Sequence, residues 1–340
     1  MIRAALIGLG WWGRTIARDL AQSTLIRPVL GIDPDQSGRD AAQAAGLDVS
    51  AHFEDALTRP DIDAVILCSP HKFHAAQIIA AAQAGKHVFC EKPLCTRQEE
   101  VEAALQAVKA AGVQIGIGHE RRFEPAVIEM RQRFSQGEFG TMLMLEANFS
   151  QDKFFALPPD NWRLSAQEAP VGPLSATGIH LVDLSIALFG KPKEVWARLA
   201  TRGSSFANGD TLSVTLGFES GATAQISAIL ATPFYGRLAL FGSQGSMEIR
   251  DRTHPEKPTG WDVTTVQRGQ EPLTRFYPPH PAVRDNLEAF AQAVMGQAPY
   301  PVDMDEMLSN VLAFEAITRS AASGQIEQIA PSSVYSCNVK

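Results

Sequence analysis

The sequence predicts an α/β chain of two domains, a Rossmann domain followed by an α+β domain with a large, mainly antiparallel open sheet. The length of 340 residues exceeds that of one ordinary domain. Short apolar runs alternate with helix-period segments at first, as in βαβ units with a parallel sheet and helices on both of its faces. Later runs alternate apolar and polar residues, which favours an antiparallel sheet with one open face. We expect domains at residues 1–120 and 121–340.

The elements of the first domain follow from these patterns in order. The continuous apolar run at residues 64–68 indicates a strand covered on both faces. Gly85 and Gly112 each follow a helical pattern, and both are predicted to end a helix in the left-handed conformation. The predicted strands are residues 2–7, 28–32, 64–68, 87–90 and 113–118, and the predicted helices are residues 12–21, 73–84 and 97–111.

The second domain is predicted in the same way. The run TLSVTLGF at residues 211–218 has a single apolar face because its apolar residues alternate with polar ones. Further strands are predicted at residues 142–149, 222–230, 237–241 and 247–250, helices at 125–135, 283–295 and 305–323, and a surface loop rich in Pro and Gly at 253–260.

Composition and charge disfavour several classes of function. Hydrophobic residues make up 45% of the chain and charged residues 20%, as in an ordinary globular enzyme. The net charge is -7 and the basic residues are scattered, whereas a nucleic-acid binder needs a basic face to neutralise phosphates. No apolar run is long enough to span a membrane. We therefore expect neither a nucleic-acid nor a membrane partner.

The cysteines predict a reducing compartment. Cys68, Cys90, Cys95 and Cys337 match neither the spacing of a zinc site nor a dense disulfide framework. The chain enters an apolar run at Ile2 without a basic leader or a cleavage-type segment. We expect a cytoplasmic protein without a metal site.

A glycine-rich loop predicts a dinucleotide site. Gly8, Gly10 and Gly13 form a G-x-G-x-x-G between a predicted strand and a predicted helix, with Trp11 and Trp12 inside it. Gly8 permits the tight turn, Gly10 lets the backbone approach the pyrophosphate, and Gly13 lets helix and strand pack closely. All five residues are predicted to bind the cofactor.

The second predicted strand ends at Asp33, about 20 residues beyond the glycines. A carboxylate at this place accepts hydrogen bonds from the adenosine ribose and repels the 2′-phosphate of NADP. No arginine follows at once to receive that phosphate. The sequence therefore predicts NAD, with NADP less favoured.

Two polar clusters each follow a predicted strand, first Ser69-Pro70 with His74 and then Glu91-Lys92. Ligands bind at the carboxyl edge of such sheets, so all five residues are predicted to lie at the cofactor. Lys92 is suited to give or take a substrate hydroxyl proton. From spacing alone, an exposed Glu91–Lys92 ion pair is an equally good interpretation.

A third cluster contains His180 and Asp183. If a helix begins here, this spacing puts both side chains on one face. Imidazole is the usual group for proton transfer near neutral pH. The spacing by itself nevertheless favours a hydrogen-bonded structural histidine.

The motifs GLGWWG, Asp33, SPHKFH and CEKP, with the GxHxxD of His180 and Asp183, occur in the order typical of one family. The chain resembles the Gfo/Idh/MocA oxidoreductases, relatives of glucose–fructose oxidoreductase and inositol dehydrogenase. The resemblance implies hydride transfer between nicotinamide C4 and a carbinol carbon of a sugar, cyclitol or related polyol. It also implies a homodimer or homotetramer assembled through the sheet of the second domain.

The same resemblance assigns roles to individual residues. Lys92 and His180 are the implied catalytic pair, and Asp183 would position the substrate or His180. Trp162 and Arg163 look like a WR segment near the substrate.

The chain departs from the family pattern at two positions. Ala176 stands four residues before His180, where many members carry an aspartate, and Glu120 stands where relatives often have an asparagine. Glu120 either supplies the missing substrate-binding carboxylate or pairs with an arginine, which is the more ordinary role. Ala176 leaves open a lyase or hydrolase with transient NAD redox, or a decarboxylase. A non-catalytic dinucleotide sensor is disfavoured because Lys92 and His180 are both present.

Overall fold

The computed structural model describes residues 1–329 and divides into two compact units. Of the described residues, the first unit contains Met1–Glu120 and Pro281–Leu308, and the second contains Arg121–His280 and residues 309–329. Each unit is built on its own sheet. Cys337, considered above, lies outside the described residues.

The first unit is the predicted Rossmann domain. Its strands are β1 (Ile2–Ile7), β2 (Ile26–Ile32), β3 (Asp48–Ser50), β4 (Ala64–Leu67), β5 (His87–Cys90) and β6 (Ile115–Ile117). They are all parallel, in the order β3-β2-β1-β4-β5-β6. This order brings the carboxyl ends of β1, β4, β5 and β6 to one edge of the sheet, where ligands bind in this architecture.

The helices of this unit in the amino-terminal segment are α1 (Trp11–Leu20), α2 (Gln36–Ala44), α3 (Glu54–Thr58), α4 (His74–Gln83) and α5 (Gln98–Ala111). Gly85 and Gly112 have φ angles of +72° and +67°, as predicted for the residues that end α4 and α5. The sequence analysis did not predict α2, β3 and α3, since β3 and α3 have only 3 and 5 residues and show no clear periodicity.

Residues 281–308 pack with the first unit and not with the second domain, in which the sequence pattern places them. The helix α8 (Ala282–Val294) inserts Leu287, Phe290 and Ala291 into the core beside β1, β2 and β5. The Phe290 ring meets Phe89 edge to face, with 5.7 Å between ring centroids. Since an amphipathic helix can bury its apolar face against any sheet with an open place, periodicity alone could not assign α8 to a domain.

The second unit contains, within the described residues, a nine-stranded sheet in the order β14-β13-β12-β11-β7-β10-β9-β8-β15. Its strands are β7 (Met142–Ser150), β8 (Pro192–Ala200), β9 (Thr211–Phe218), β10 (Thr223–Ile229), β11 (Tyr235–Gly242), β12 (Gly245–Asp251), β13 (Trp261–Gln267), β14 (Leu273–Tyr277) and β15 (Glu327–Gln328). Neighbours are antiparallel except β7 and β10, which are parallel. The predicted large, mainly antiparallel sheet is confirmed.

The second unit also contains the helices α6 (Pro125–Ser135) and α7 (Ile179–Phe189) and most of α9 (Met304–Ser323). The boundary between the two units lies within α9, after Leu308. In β9 every second side chain is buried against these helices, as the alternation of TLSVTLGF predicts. The strands β8, β13, β14 and β15 were not predicted. For β14 the reason is plain, since most of its residues are exposed and no alternation marks it.

Candidate functional site

The glycine loop between β1 and α1 forms a cradle that side chains would fill. A Cβ at Gly8, whose φ is +90°, would lie 2.7 Å from the Cys68 carbonyl oxygen, and one at Gly13 would overlap the Gly8 carbonyl oxygen. At Gly10 no atom lies within 4 Å of the place where a Cβ would be, so a ligand can approach the backbone. Among the described residues, no side chain caps α1, which leaves its amino terminus suited to an anion.

The two tryptophans of this loop lie differently. The Trp11 side chain is 50% exposed, whereas Trp12 packs against the core of the first unit. The indole Nε1 of Trp12 is buried and has no acceptor among the described residues. A buried donor without an acceptor, beside a cradle without side chains, fits the phosphates of a dinucleotide.

Asp33 is held at the end of β2 by backbone amides. Its Oδ2 accepts a hydrogen bond from Leu9 N at 2.6 Å, and its Oδ1 accepts one from Asp35 N at 2.8 Å. The Arg39 Nη1 donates to the carbonyl oxygens of Asp33 at 2.6 Å and of Pro34 at 2.9 Å. Sequence reasoning missed Arg39 because it belongs to the unpredicted helix α2. The end of β2 therefore carries both a carboxylate and a guanidinium.

Lys92 and Glu91 follow β5 at the same edge of the sheet. Lys92 is half-buried, and its peptide bond to Pro93 is cis. Glu91 is 7% exposed, and its carboxylate occupies the place of a Cβ at Gly118, which would lie 2.5 Å from both oxygens. Glu91 Oε2 also accepts a hydrogen bond from Lys92 N at 3.3 Å. Glu91 is therefore a buried carboxylate.

His74 is fully buried at the beginning of α4. Its Nδ1 lies 2.9 Å from the Pro93 carbonyl oxygen, and its Nε2 lies 2.9 Å from the Ser69 carbonyl oxygen. The Ser69 hydroxyl donates to the side-chain oxygen of Gln77 at 2.5 Å. Pro70 begins the short 3-10 turn that leads into α4. The ring of His74 thus contacts the loops that follow β4 and β5.

His180 belongs to the second unit and lies in the first turn of α7. A π-helical turn, Leu174–Gly178, precedes α7 and contains Ala176. Val171, just before this turn, has a φ of +49°, which is strained for a β-branched residue. His180 is 4% exposed, and its ring centroid lies 6.1 Å from that of Phe149. Irregular and strained backbone of this kind often marks functional positions.

Asp183 lies one turn after His180 and forms a buried ion pair. Its two carboxylate oxygens accept hydrogen bonds from Arg122 Nε and Nη2, both at 2.7 Å, and it is 2% exposed. The family resemblance implies that Asp183 positions either the substrate or His180. With both oxygens on Arg122, the geometry favours the positioning role.

Arg121 forms a second buried cluster in this unit. Its guanidinium donates to the carboxylates of Glu124 and Asp251 and lies 5.3 Å from the centre of the Phe149 ring. Burial raises the pKa of Glu124. Glu120, the last residue of the first unit, is 7% exposed. The two arginines that follow it thus bind Asp183, Glu124 and Asp251.

The Trp162-Arg163 segment is a short 3-10 turn in which the Arg163 guanidinium carbon lies 4.4 Å from the Trp162 ring centre. Asn208, which is 2% exposed, donates to the carbonyl oxygens of Arg163 at 2.7 Å and Ala169 at 2.8 Å. Sequence reasoning missed Asn208, since a lone asparagine before β9 carries no pattern. It ties this segment to the body of the second unit.

Three properties of the described residues bear on other functions. No group of three or more His, Cys, Asp or Glu side chains could hold a metal ion there. Within residues 1–329 no helix is long and apolar enough to cross a membrane. Cys90 and Cys95 are free, buried thiols.

Comparison with known families gives two adjoining matches. Residues 2–119 match the profile described as an oxidoreductase family with an NAD-binding Rossmann fold, GFO_IDH_MocA. Residues 127–248 match the GFO/IDH/MocA C-terminal domain. The first match falls on the first unit and the second on the second unit.

Three individual proteins show the same likeness. The chain is 29% identical to scyllo-inositol 2-dehydrogenase (NAD(+)) of Bacillus subtilis, with 96% of each chain covered. It is 30% identical to D-xylose 1-dehydrogenase (NADP(+)) 2 of Haloferax volcanii over 80% of this chain and 82% of the relative. The solved structure of aldose-aldose oxidoreductase from Caulobacter crescentus, complexed with glycerol, superposes with a TM-score of 0.85 at 25% identity, covering 96% of this chain and 99% of that one.

Proposed function

The chain belongs to the Gfo/Idh/MocA oxidoreductase family, and on that premise we propose that it oxidises a secondary alcohol of a sugar, cyclitol or related polyol, or reduces the corresponding ketone. The observation that carries this proposal is the edge of the first sheet. The glycine cradle after β1 and Lys92 after β5 lie at that one edge, with only β4 between their strands. A dinucleotide cradle next to a half-buried lysine suits proton and hydride transfer.

In this proposal the residues of the chain move the proton. Lys92 accepts or donates the substrate hydroxyl proton. Glu91, which packs against Gly118, holds the backbone of Lys92 by accepting a hydrogen bond from Lys92 N. His180 assists Lys92, and the ion pair of Asp183 orients the first turns of α7. Trp162, Arg163 and Glu120 are proposed to bind the polyol.

We propose NAD as the preferred cofactor; when bound, it accepts or supplies the hydride. The Asp33 carboxylate carries a negative charge where NADP places its 2′-phosphate. Arg39 opposes this preference only weakly, since its Nη1 already donates to two backbone carbonyls. Relatives named for NAD(+) and for NADP(+) both occur. We therefore propose that Asp33 and Arg39 determine the preference between NAD and NADP in this chain.

The test is a screen of sugars, cyclitols and sugar acids that follows NADH and NADPH absorbance in parallel. We expect turnover with at least one polyol and a higher kcat/KM with NAD. Lys92→Ala and His180→Ala should each lower kcat by about 10²- to 10⁴-fold while NADH still binds. Lys109→Ala, on the exposed side of α5, is the matched control and should leave kcat unchanged. Full turnover in Lys92→Ala would remove the lysine from the mechanism.

One observation favours a second function. Ala176, on the π-helical turn before His180, takes the place of an aspartate common in the family. An enzyme without that carboxylate is a candidate for chemistry in which NAD is reduced and reoxidised within one turnover, as in glycosidic-bond cleavage. Product that forms only with NAD present, but without net NADH, would identify this function.

We also propose a homodimer or homotetramer that assembles through the nine-stranded sheet. The core covers one face of this sheet, while Trp196 and Tyr235, on the other face, are 39% and 40% exposed. Apolar surface of this kind is typical of subunit contacts. Light scattering should give the mass of two or four chains, and Trp196→Glu should reduce it. The mass of a single chain in the wild type would contradict the proposal.

A cytoplasmic location is proposed from the thiols. Cys90 and Cys95 are free and buried in the first unit. Free thiols persist where the compartment is reducing. Cell fractionation with an antibody to the chain tests this, and recovery outside the cytoplasm would overturn it.

A further inference from the structure

We propose that His74 is a positioning residue for Lys92: its ring joins the loop after β4 to the loop after β5 and thereby holds the lysine backbone in place. This inference rests on the proposed function, because it assigns His74 a role in the turnover that Lys92 supports. His74 itself touches neither substrate nor cofactor in this role.

The contacts of the ring carry the proposal. The two ring nitrogens each lie 2.9 Å from a backbone carbonyl oxygen, that of Ser69 on one loop and that of Pro93 on the other. The side chain is 0% exposed, so water does not compete for these contacts. Since Pro93 directly follows Lys92, a shift of its carbonyl moves the lysine backbone as well.

The protonation chemistry makes the two contacts unequal. A neutral imidazole has one N–H and can donate to only one of the two carbonyl oxygens, whereas an imidazolium donates to both. Burial lowers the pKa of His74, although the nearby carbonyl oxygens oppose that shift. The neutral ring therefore donates one hydrogen bond, and the two possible tautomers direct it to different loops.

Lys92 needs such support from both sides of the chain. On its amino-terminal side, Glu91 is packed on Gly118 and accepts from Lys92 N. On its carboxyl-terminal side, the His74 ring contacts the carbonyl oxygen of Pro93. A long, rotatable lysine side chain reaches a fixed point only if its Cα is fixed, and a displacement of about 1 Å costs on the order of 10²-fold in rate.

Two conservative variants separate the contacts. An asparagine amide places its nitrogen near the position of Nδ1, facing Pro93 O, and a glutamine amide places its nitrogen near the position of Nε2, facing Ser69 O. We expect His74→Asn to keep kcat within about tenfold and His74→Gln and His74→Phe to lower it by about 10²-fold. The KM for NAD and the affinity for NADH should stay near the wild-type values in all three.

A readout independent of turnover is hydrogen exchange of the backbone amides at residues 91–97. Exchange there should quicken in His74→Gln and His74→Phe and stay slow in His74→Asn, with thermal unfolding recorded for each variant. A merely structural histidine would lower the unfolding temperature of His74→Asn and His74→Gln alike and would not separate their kcat values.

The double variant His74→Phe with Lys92→Ala distinguishes this inference from the proposed function. If His74 acts through Lys92, the second substitution adds little to the loss caused by Lys92→Ala alone. Full turnover in Lys92→Ala would sink the proposed function itself. Loss in Lys92→Ala with wild-type kcat in His74→Gln would sink this inference alone. If His74→Phe does not fold, the comparison of Asn with Gln decides the question.

Discussion

At the scale of single residues, burial changes what a charged side chain can do. Asp183 belongs to a motif that implies contact with substrate, yet both of its oxygens are engaged with Arg122 and its side chain is 2% exposed. A carboxylate in this position stabilises the first turns of α7 by holding the guanidinium. Removing one partner of such a pair leaves the other charge buried without compensation.

We therefore expect Asp183→Asn to lower the free energy of unfolding by about 3–5 kcal/mol, since it strands the Arg122 charge. Asp262→Asn is the matched control. It breaks an equally bidentate pair with Arg252, but the side chains there are 47% and 39% exposed, so the loss should stay within about 1 kcal/mol. Urea unfolding without cofactor measures both. Equal losses would contradict the conclusion that burial makes the Asp183–Arg122 pair the more costly one to break.

The sequence showed the local part of the candidate site and not the part that depends on distant contacts. Gly8, Gly13 and Asp33 could be predicted because their spacing follows from one βαβ unit; Gly8 and Gly13 have no space for a side chain, and Asp33 accepts a hydrogen bond from Leu9 N. Gly118 and Asn208 could not, because their partners are 27 and 39 or more residues away and follow no motif. Their roles depend on which strand ends and loops lie side by side.

At the scale of elements, the carboxylate of Asp210 holds the loop between β8 and β9 together through hydrogen bonds. Asp210, which is 0% exposed, accepts hydrogen bonds from the backbone of Arg202, Gly203 and Ser204 and from the Thr211 hydroxyl. Burial raises the pKa of Asp210, but these hydrogen bonds lower it by more than burial raises it. The resulting pKa is about 2. The loop therefore depends on the ionised form of Asp210.

The pH dependence of stability follows from this pKa. Because the folded-state value lies below the ordinary 3.8, Asp210 stabilises the fold above about pH 4, and this contribution is lost as the pH falls through about 2. Asp210→Asn should lower the free energy of unfolding by about 1–3 kcal/mol at neutral pH, since an amide cannot accept all these hydrogen bonds. The gap between wild type and variant should narrow below pH 4. A constant gap would show that ionisation of Asp210 is not involved.

The elements also show where periodicity is informative. The strands β5 and β9 and the helix α6 were predicted with their observed bounds, because each is long enough or buried enough to show its period. The edge strand β14 has mostly exposed residues, and its pairing with β13 comes from the partner strand rather than from its own pattern. The same limit hid α2, and with it Arg39.

At the scale of the whole molecule, the first unit is formed by two separate segments of the chain. Residues 281–308 belong to it, although residues 121–280 before them belong to the second unit. Phe290 on α8 is 0% exposed and packs against Phe89 of β5. Asn286 donates to the carbonyl oxygen of Ile117 in β6 at 2.9 Å, and the Tyr300 hydroxyl bonds the same strand. The core of the first unit is thus incomplete without residues 281–308.

Phe290→Ala should lower the free energy of unfolding by about 3–5 kcal/mol through the cavity it leaves beside β5. Phe276→Ala, on the edge strand β14, removes the same atoms from a ring that is 50% exposed and should cost clearly less. NADH should raise the unfolding temperature of Phe290→Ala by binding its folded form. Thermal unfolding with and without NADH measures both effects, and equal costs for the two variants would contradict this account.

The late return of α8 has a consequence for how a cell makes this protein. The ribosome synthesises the chain from the amino terminus, so β1 to β6 leave the exit tunnel long before Phe290 and Tyr300 exist. Domains generally fold as units during synthesis. Here the Rossmann domain has to wait, with an apolar patch around Phe89 uncovered, until residues 281–308 have been synthesised. Nascent chains of this protein are therefore expected to need a chaperone for longer than those of a Rossmann domain that is continuous in sequence.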